Sequence, residues 1–469
     1  MTTKQDLHIA LIGSGFDFYA QCALLAAELQ PFSVRISAFE SVREQPDKVE
    51  IVGPEIAPFC QQIELALKTL MQQTKAGVSL GMQYQLTEKS FFVPYADYGL
   101  GPNEEFVQGV VKLAKQHQDL SINQFNLAAR AASNARFAVP PANRTELKNS
   151  LKFGLNLPTK SATTLLKQQA EKLGVNFFQG EAALSYCTSN DSQKQLDGVL
   201  LDGQLHSADL YLLCNQVNGK KESKSTWCVA SACTTIETSA MRPYRQCIAT
   251  ELGWLYQSLY GDQLCYQFYF DKSSVSEIDA AQLIKQHSGS DNIRFDSCSQ
   301  TQFPHWQNNV ISFNVRQQNE QQQCVSNLVW LMQISDFLSS HFPASPNTLS
   351  LAACFNQHMQ NIAREIEQYY ALHKLAEVNS SKIRSHAVAG LYARCGRLPQ
   401  SDYDVVSSSR WHALLAGLGI QPELDSLYLQ HVSLEQLIQK LQHLDKIMQG
   451  IVAGMPDYAA FYQQLTHSQ

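Results

Sequence analysis

The chain opens with an apolar run, His8-Ile9-Ala10-Leu11-Ile12, that leads into Gly13-Ser14-Gly15-Phe16-Asp17-Phe18. From Ala20 to Leu29 apolar positions recur at helical spacing, and Ser33-Val34-Arg35-Ile36-Ser37-Ala38-Phe39-Glu40 is a second short apolar run closed by an acid. This order predicts a strand, a tight glycine turn, a helix and a second strand, the layout of a βαβ unit. In a dinucleotide-binding unit of this kind the helix N-terminus faces the pyrophosphate, and the acid takes a ribose hydroxyl. The third position of a G-x-G-x-x-G turn, where the lack of a side chain lets helix and strand pack closely, is Phe18 here. Two readings stay open at this point: a dinucleotide site, and a βαβ unit that no longer admits one.

The same patterning carries on along the chain. Ala162 to Leu173 reads as an amphipathic helix stopped at Gly174, and Val175-Asn176-Phe177-Phe178 as a strand. Gly198 to His206 reads as a hairpin around Asp202-Gly203, followed by a buried strand over Asp209 to Cys214. Leu264 to Phe270 is a further strand. From about Cys324 the period becomes helical, with helices over Val325 to Ser339, Leu349 to Leu375 and Leu434 to Ala453. The polar run Arg316 to Gln323 reads as a solvated loop or helix start, and 141–150 and 215–226 as short polar loops.

Composition narrows the function classes. At 469 residues, 44% hydrophobic and 17% charged, the chain has enough apolar side chains for a large core. A net charge of −6 without any basic cluster argues against nucleic acid as a partner. No apolar run reaches the ~18–20 residues of a membrane span, and Met-Thr-Thr-Lys-Gln-Asp is not followed by a secretory segment, so the expectation is a soluble, cytoplasmic protein. The 12 cysteines contain no CxxC pair, which argues against a zinc site and makes each read as a small buried hydrophobe in a reducing compartment.

The order of several segments resembles the flavin-dependent tryptophan halogenases, over nearly the whole chain. Val52-Gly53-Pro54-Glu55-Ile56-Ala57-Pro58 resembles that family's V-G-E-A-T-I-P segment, and Ala76 to Tyr84 resembles its A-T-F-K-L-G-I-x-F. Phe153 to Pro158 is similar to Y-A-Y-H-F-D, Gly253 to Leu259 to G-W-x-W-x-I-P, and Trp306 to Val310 to the W-x-G-N-C strand. Asn356 to His373 resembles the R-D-F-I-x-x-H-Y helix; Trp411, Gly417 to Pro422 and Met455 to Phe461 resemble C-terminal signatures.

The resemblance implies an α/β, FAD/NAD(P)-binding Rossmann-like flavoprotein monooxygenase fold with an added C-terminal helical layer. It divides the chain into a FAD-binding-like domain with an inserted substrate-side sheet over 1–323 and a helical module over 324–469. In the family, reduced FAD and oxygen turn halide into hypohalous acid, and a lysine steers it to an indole ring. The implied partners are an aromatic small molecule, a separate flavin reductase and a possible second copy or homologue. FAD, by this resemblance, meets Gly13, Ser14, Gly15 and Phe16 at its pyrophosphate, Glu40 at its ribose, and Gly53, Pro54 and Glu55 near its ring.

The lysine position is Ser79, with Lys75 four residues earlier, and the tryptophan signature retains Trp254 but has Tyr256 in place of its second Trp. The family's D-C-x-G is Leu213-Cys214-Asn215-Gln216, and its G-x-A-x-x-F-x-E-P-L-E-S-T stretch falls on Asn314 to Ser326. Two functions are therefore carried forward: an FADH2- and oxygen-dependent halogenase of an aromatic substrate, and a catalytically inactive protein of the same fold acting as a partner or ligand binder. His305 and His373 are candidate acid-base groups, with packing the expected role of His373.

Overall fold

The computed structural model describes residues 7–467 apart from 42–47, 100–103, 117–119, 142, 144, 181, 189–193, 215–225, 299–302, 314–319, 342–348, 377–382, 400–402 and 425–432. The expected loop at 215–226, all but its last residue, and the Arg316 to Asn319 part of the polar run lie outside the described residues. The chain gathers into two compact units, each built from three stretches: Met1–Thr74, Leu157–Cys228 and Ser297–Arg364 in the first, and Lys75–Asn156, Val229–Asp296 and Glu365–Gln469 in the second.

The first unit is a doubly covered α/β sheet. Its six strands run in the order His305–Gln307, Val310–Ser312, Leu210–Leu213, Leu7–Gly13, Val34–Ser41, Asn176–Gly180. All neighbours are parallel except the edge pair His305–Gln307 and Val310–Ser312. Ile9, Ala10, Leu11 and Ile12 are all buried, because a central parallel strand has no solvent face. Helix Phe16–Glu28 packs on both Thr159–Lys172 and Asn327–Ser340, which explains why Cys22, Ala23, Leu24 and Leu25 are buried in succession. The predicted hairpin is present: Lys194–Leu201 and Gln204–His206 are joined by Asp202 (φ 48°) and Gly203 (φ 83°), the left-handed pair that a two-residue turn requires. Its Leu196, Val199 and Leu201 pack with Ala10, Ile12, Phe39 and Tyr211.

The second unit is organised by a mixed seven-stranded sheet in the order Arg294–Ser297, Trp227–Thr235, Gln263–Asp271, Gly253–Tyr260, Arg245–Thr250, Gly81–Gln85, Ser90–Pro94. Trp254 and Tyr256, two apart on one strand, share a face. They stack on His373 with ring centroids 5.3 and 6.1 Å apart. The imidazole is fully buried between two phenols, Nδ1 at 2.8 Å from Tyr84 Oη and Nε2 at 2.8 Å from Tyr256 Oη. A neutral ring has one N–H and one lone pair, so one phenol accepts from it while the other donates to it. Burial, with the positive charges of Lys374, Arg245 and Arg410, holds its pKa down to about 3.

Three sequence expectations change. Residues Thr145–Ser150 form a short helix inside the expected 141–150 loop. Glu320–Gln323 form a buried 3-10 turn rather than a solvated loop; polar side chains go inside when they find partners, and Glu320, Gln322 and Gln323 each have one. Cys233 and Cys265, on neighbouring strands with Cα atoms 4.1 Å apart, form a disulfide, and Cys187 and Cys354 are exposed, whereas Cys22, Cys60, Cys214, Cys228, Cys247, Cys298 and Cys324 are buried thiols. The helices Leu349–Leu375 and Leu434–Ala453 have the expected bounds.

Two predictions follow from this packing. Alkylation of the unfolded, unreduced protein should label every cysteine except Cys233 and Cys265 in peptide mass spectrometry; labelling of either removes the disulfide. For His373 the folded pKa lies below the unfolded value, so the unfolded chain binds the extra proton and stability falls as pH drops from about 6.5 toward 3. His373→Gln should therefore cost ~1–3 kcal/mol at pH 7. Near pH 4.5 that cost should shrink by about 2 kcal/mol in urea titrations; an unchanged difference refutes a neutral His373.

Candidate functional site

The glycine turn, Glu40 and the 53–55 segment belong to the first unit. Gly13 ends the central strand directly beside Glu40 on the next. Gly15 has φ 87° and sits at the N-cap of the helix that begins with Phe16, which is buried. Phe18, at the third glycine position, is fully buried with its ring 6.4 Å from that of Phe177. A phenyl ring thus fills the position where a dinucleotide-binding turn has no side chain and helix and strand approach closely.

Glu40 is 6% exposed, and its own neighbours hold its carboxylate. Lys167 Nζ lies 2.7 Å from Oε1, and Gln179 Nε2 donates to Oε2 at 2.8 Å. Burial and the nearby negative charge of Glu40 raise the Tyr19 pKa. Lys167 further lies 5.2 Å from the centre of the Phe177 ring. The acid that a ribose hydroxyl requires is thereby neutralised from within.

At the 53–55 turn, Gly53 N–H donates to Glu55 Oε1 at 2.9 Å, and the Ser326 hydroxyl donates to the same oxygen. The carboxylate folds over Gly53 so closely that a Cβ built there would lie 2.5 Å from Glu55 Oε2. Pro54 completes the turn into the helix Ile56–Gln62.

One acid in this region was not singled out from the sequence. Asp17 stands in the first turn of the helix after Gly15; its Oδ2 accepts from Asn327 Nδ2 at 3.0 Å and its Oδ1 is buried without a hydrogen-bond partner. Burial raises the Asp17 carboxyl to about 7, and the Asn327 bond opposes that rise. Glu50 on the Val49–Val52 strand is raised as well, by burial and then by the negative charge of Asp17. A negative side chain at the second helical position was the available signal, since that is where a bound phosphate otherwise sits.

Ser79, Lys75, Trp254 and Tyr256 belong to the second unit. Gly77–Ser79 is a strand antiparallel to Gly154–Pro158, with Ser79 opposite Gly154. Gly77 is required there: a Cβ would fall 1.7 Å from the carbonyl oxygen of Leu259, to which Asn156 Nδ2 donates at 2.8 Å. Tyr458 Oη accepts from the Val78 N–H at 2.8 Å. Ser79 is 1% exposed, and its hydroxyl donates to the Gly81 carbonyl at 2.9 Å. Lys75 is exposed at φ 50°, and its carbonyl accepts from Gly261 N–H and Tyr462 Oη. Trp254 and Tyr256 are gathered at His373, with Trp254 Nε1 unpartnered; His305 is exposed on an edge strand. Of the altered D-C-x-G segment, Cys214 is buried and Asn215 and Gln216 lie outside the described residues.

Among the described residues, no helix is long and apolar enough to cross a membrane, and no group of His, Cys, Asp and Glu side chains could hold a metal ion. Compared by fold, the chain is similar to BrvH, a flavin-dependent halogenase from Brevundimonas sp. BAL3, at 17% identity and TM-score 0.82, covering 99% of this chain and 100% of that one. It is similar to a flavin-dependent halogenase from Xanthomonas campestris at 16% identity and TM-score 0.84, covering 98% of both. A tryptophan halogenase from Shewanella frigidimarina is similar at 14% identity and TM-score 0.82, covering 100% of this chain and 99% of that one. No curated protein matches by sequence. The tryptophan halogenase model, by contrast, matches residues 8–433, and the protein belongs to the tryptophan halogenase family.

Proposed function

We propose that this member of the family binds an aromatic small molecule without halogenating it, and that it does not hold FAD in the family's manner. The observation that carries the reading is Ser79. At the steering position the chain has a buried hydroxyl already donating to a backbone carbonyl 2.9 Å away. A lysine amine there can hydrogen-bond or capture an electrophile, and its charge responds to its surroundings; a serine hydroxyl is neither base nor haloamine former. Lys75 is no substitute, because it sits exposed on a turn whose left-handed backbone is tied by two hydrogen bonds to its carbonyl.

The nucleotide end supports the second half of the reading. A flavin's adenosine ribose needs a free carboxylate oxygen, and both oxygens of Glu40 are engaged by Lys167 and Gln179. Its diphosphate needs an unobstructed helix N-terminus, and here Asp17 puts a carboxyl in the first turn while Phe18 fills the third glycine position. Near the ring, Glu55 covers Gly53 and is anchored by Ser326. These residues do not fit the cofactor. The aromatic ligand class follows from the family, whose members are named for tryptophan.

Titration with FAD, oxidised and then reduced, should give no saturable change in flavin fluorescence or absorbance. Incubation with a flavin reductase, NADH, halide and tryptophan should give no halogenated product. Saturable FAD binding overturns the flavin-free reading, and halogenated tryptophan overturns the whole.

Asp17 gives a second prediction. Its folded pKa is about 7 against an ordinary 3.8, so the folded protein holds a proton that the unfolded chain releases, and stability is lost as pH rises from about 4 through 7. Asp17→Asn should therefore stabilise the protein clearly more at pH 8 than at pH 5 in urea titrations. Equal effects at the two pH values refute the buried acid.

A further inference from the structure

The second unit carries a half-open cavity of about 800 Å³, within the ~300–1,000 Å³ range of small-molecule sites. Its floor is the last hairpin of the seven-stranded sheet, where Gln83 and Phe92 stand directly opposite each other. Its walls come from the 3-10 turn Ile122–Phe125, helix Leu127–Ser133 and helix Leu434–Ala453. Phe92, Leu113, Phe125, Tyr244, Ile438 and Leu441 make most of the lining apolar. Phe92 and Tyr244 meet edge to face with centroids 6.0 Å apart, which leaves ring faces and edges for a flat ligand.

The polar groups of the lining decide the charge of the occupant. Gln83 Nε2 donates to the Phe91 carbonyl at 3.2 Å, and Asn123 Nδ2 donates to the Phe92 carbonyl at 2.8 Å. Asn123 Oδ1 accepts from Tyr98 Oη at 3.0 Å. Arg130 closes an ion pair with Asp445 and also donates to the Gln124 carbonyl, while Asp445 Oδ2 accepts from Gln449 Nε2 at 2.9 Å. An anion would have to take Arg130 from Asp445 and leave a carboxylate unpaired, and a cation faces the mirror problem. An uncharged ring system leaves the Arg130–Asp445 pair intact, and it covers apolar wall that otherwise faces water.

We infer that this cavity is a binding site for an uncharged, flat aromatic molecule. This rests on the ligand-binding half of the proposed function and locates it; the flavin titration and turnover assay decide the other half separately.

The probes are 2-naphthol and 2-naphthoate, the same rings with and without charge, titrated by fluorescence into the full-length protein at pH 7. The neutral probe should bind one per chain, roughly tenfold or more tightly than the anion. Ile438→Trp, which grows a larger side chain from the wall into the space, should weaken 2-naphthol at least ~10-fold with an unchanged circular dichroism spectrum. Asp445→Ala releases Arg130 and should reverse the preference toward 2-naphthoate, an effect that a loosened structure would not produce. The inference is overturned if neither probe saturates by millimolar concentration, if the anion binds wild type as tightly as the neutral probe, or if folded Ile438→Trp binds unchanged. Should Ile438→Trp fail to fold, the Asp445→Ala reversal decides alone.

Discussion

A buried carboxylate must be neutralised, hydrogen-bonded or protonated, and at the carboxyl end of the six-stranded sheet this requirement governs what the first unit can do. A nucleotide-binding member of the fold leaves such an acid facing a cleft, so that ligand hydroxyls complete its solvation. Here Lys167 and Gln179 complete it for Glu40, and Gly53 N–H and Ser326 do so for Glu55. Once those partners are in place the two acids hold strand, helix and turn together. They are structural cross-links, and a ligand would have to displace bonds already made. Asp17 Oδ1 and Glu40 Oε1 are both buried without a hydrogen bond; Glu40 Oε1 has the Lys167 ammonium beside it, whereas Asp17 Oδ1 has no such partner, and the raised Asp17 pKa is the physical expression of that difference.

The second unit shows the same principle in a neutral form. His373 lies among Tyr84, Trp254 and Tyr256 with both ring nitrogens bonded, and burial keeps it uncharged. That arrangement fixes Trp254 and Tyr256 as core side chains on one strand face, so the aromatic pair of the sequence signature supports the sheet. Ser79 sits on a strand whose geometry is set elsewhere, by the close approach of Gly77 to Leu259 and by Tyr458 at Val78. The backbone at Ser79 is thus fixed by its neighbours, while its side chain carries no basic group. Preorganised catalysis draws on polar groups held ready for charge that develops in a transition state, and the hydroxyl of Ser79 is held to a ground-state carbonyl instead.

Much of this fold was legible in the sequence because it follows from periodicity and turn chemistry. The opening strand, the glycine turn, the Asp202–Gly203 hairpin and the helices Leu349–Leu375 and Leu434–Ala453 each depend on local pattern, and the structure has them. Family order supplied the whole-chain fold, which no single motif could. What was not legible depends on long-range partners. Lys167 reaches Glu40 across 127 residues of chain, and Asn327 reaches Asp17 across 310. No periodicity records such pairs. The buried turn Glu320–Gln323 misleads for the same reason, since a polar run reads as solvated until its partners are known. Cys233 and Cys265 lie on strands that are neighbours only in the folded sheet, and scattered cysteines carry no sign of pairing.

A family fold whose polar groups satisfy one another selects its ligands differently from one that leaves them open. An enzyme of this architecture recognises a charged cofactor through unfilled acids and helix ends. On the proposed reading, acids closed from within would leave a concave surface that recognises shape and apolar area. The Arg130–Asp445 pair in the wall of the second unit's cavity is the counterpart of Glu40–Lys167 in the first: each is a pair of opposite charges committed to each other within its own unit. Breaking such a pair leaves a charge without its partner; Arg130 and Asp445 are 17% and 31% exposed, so water screens part of that cost. The committed charge pairs of the two units are therefore expressions of one physical condition, polar groups that satisfy one another inside the fold.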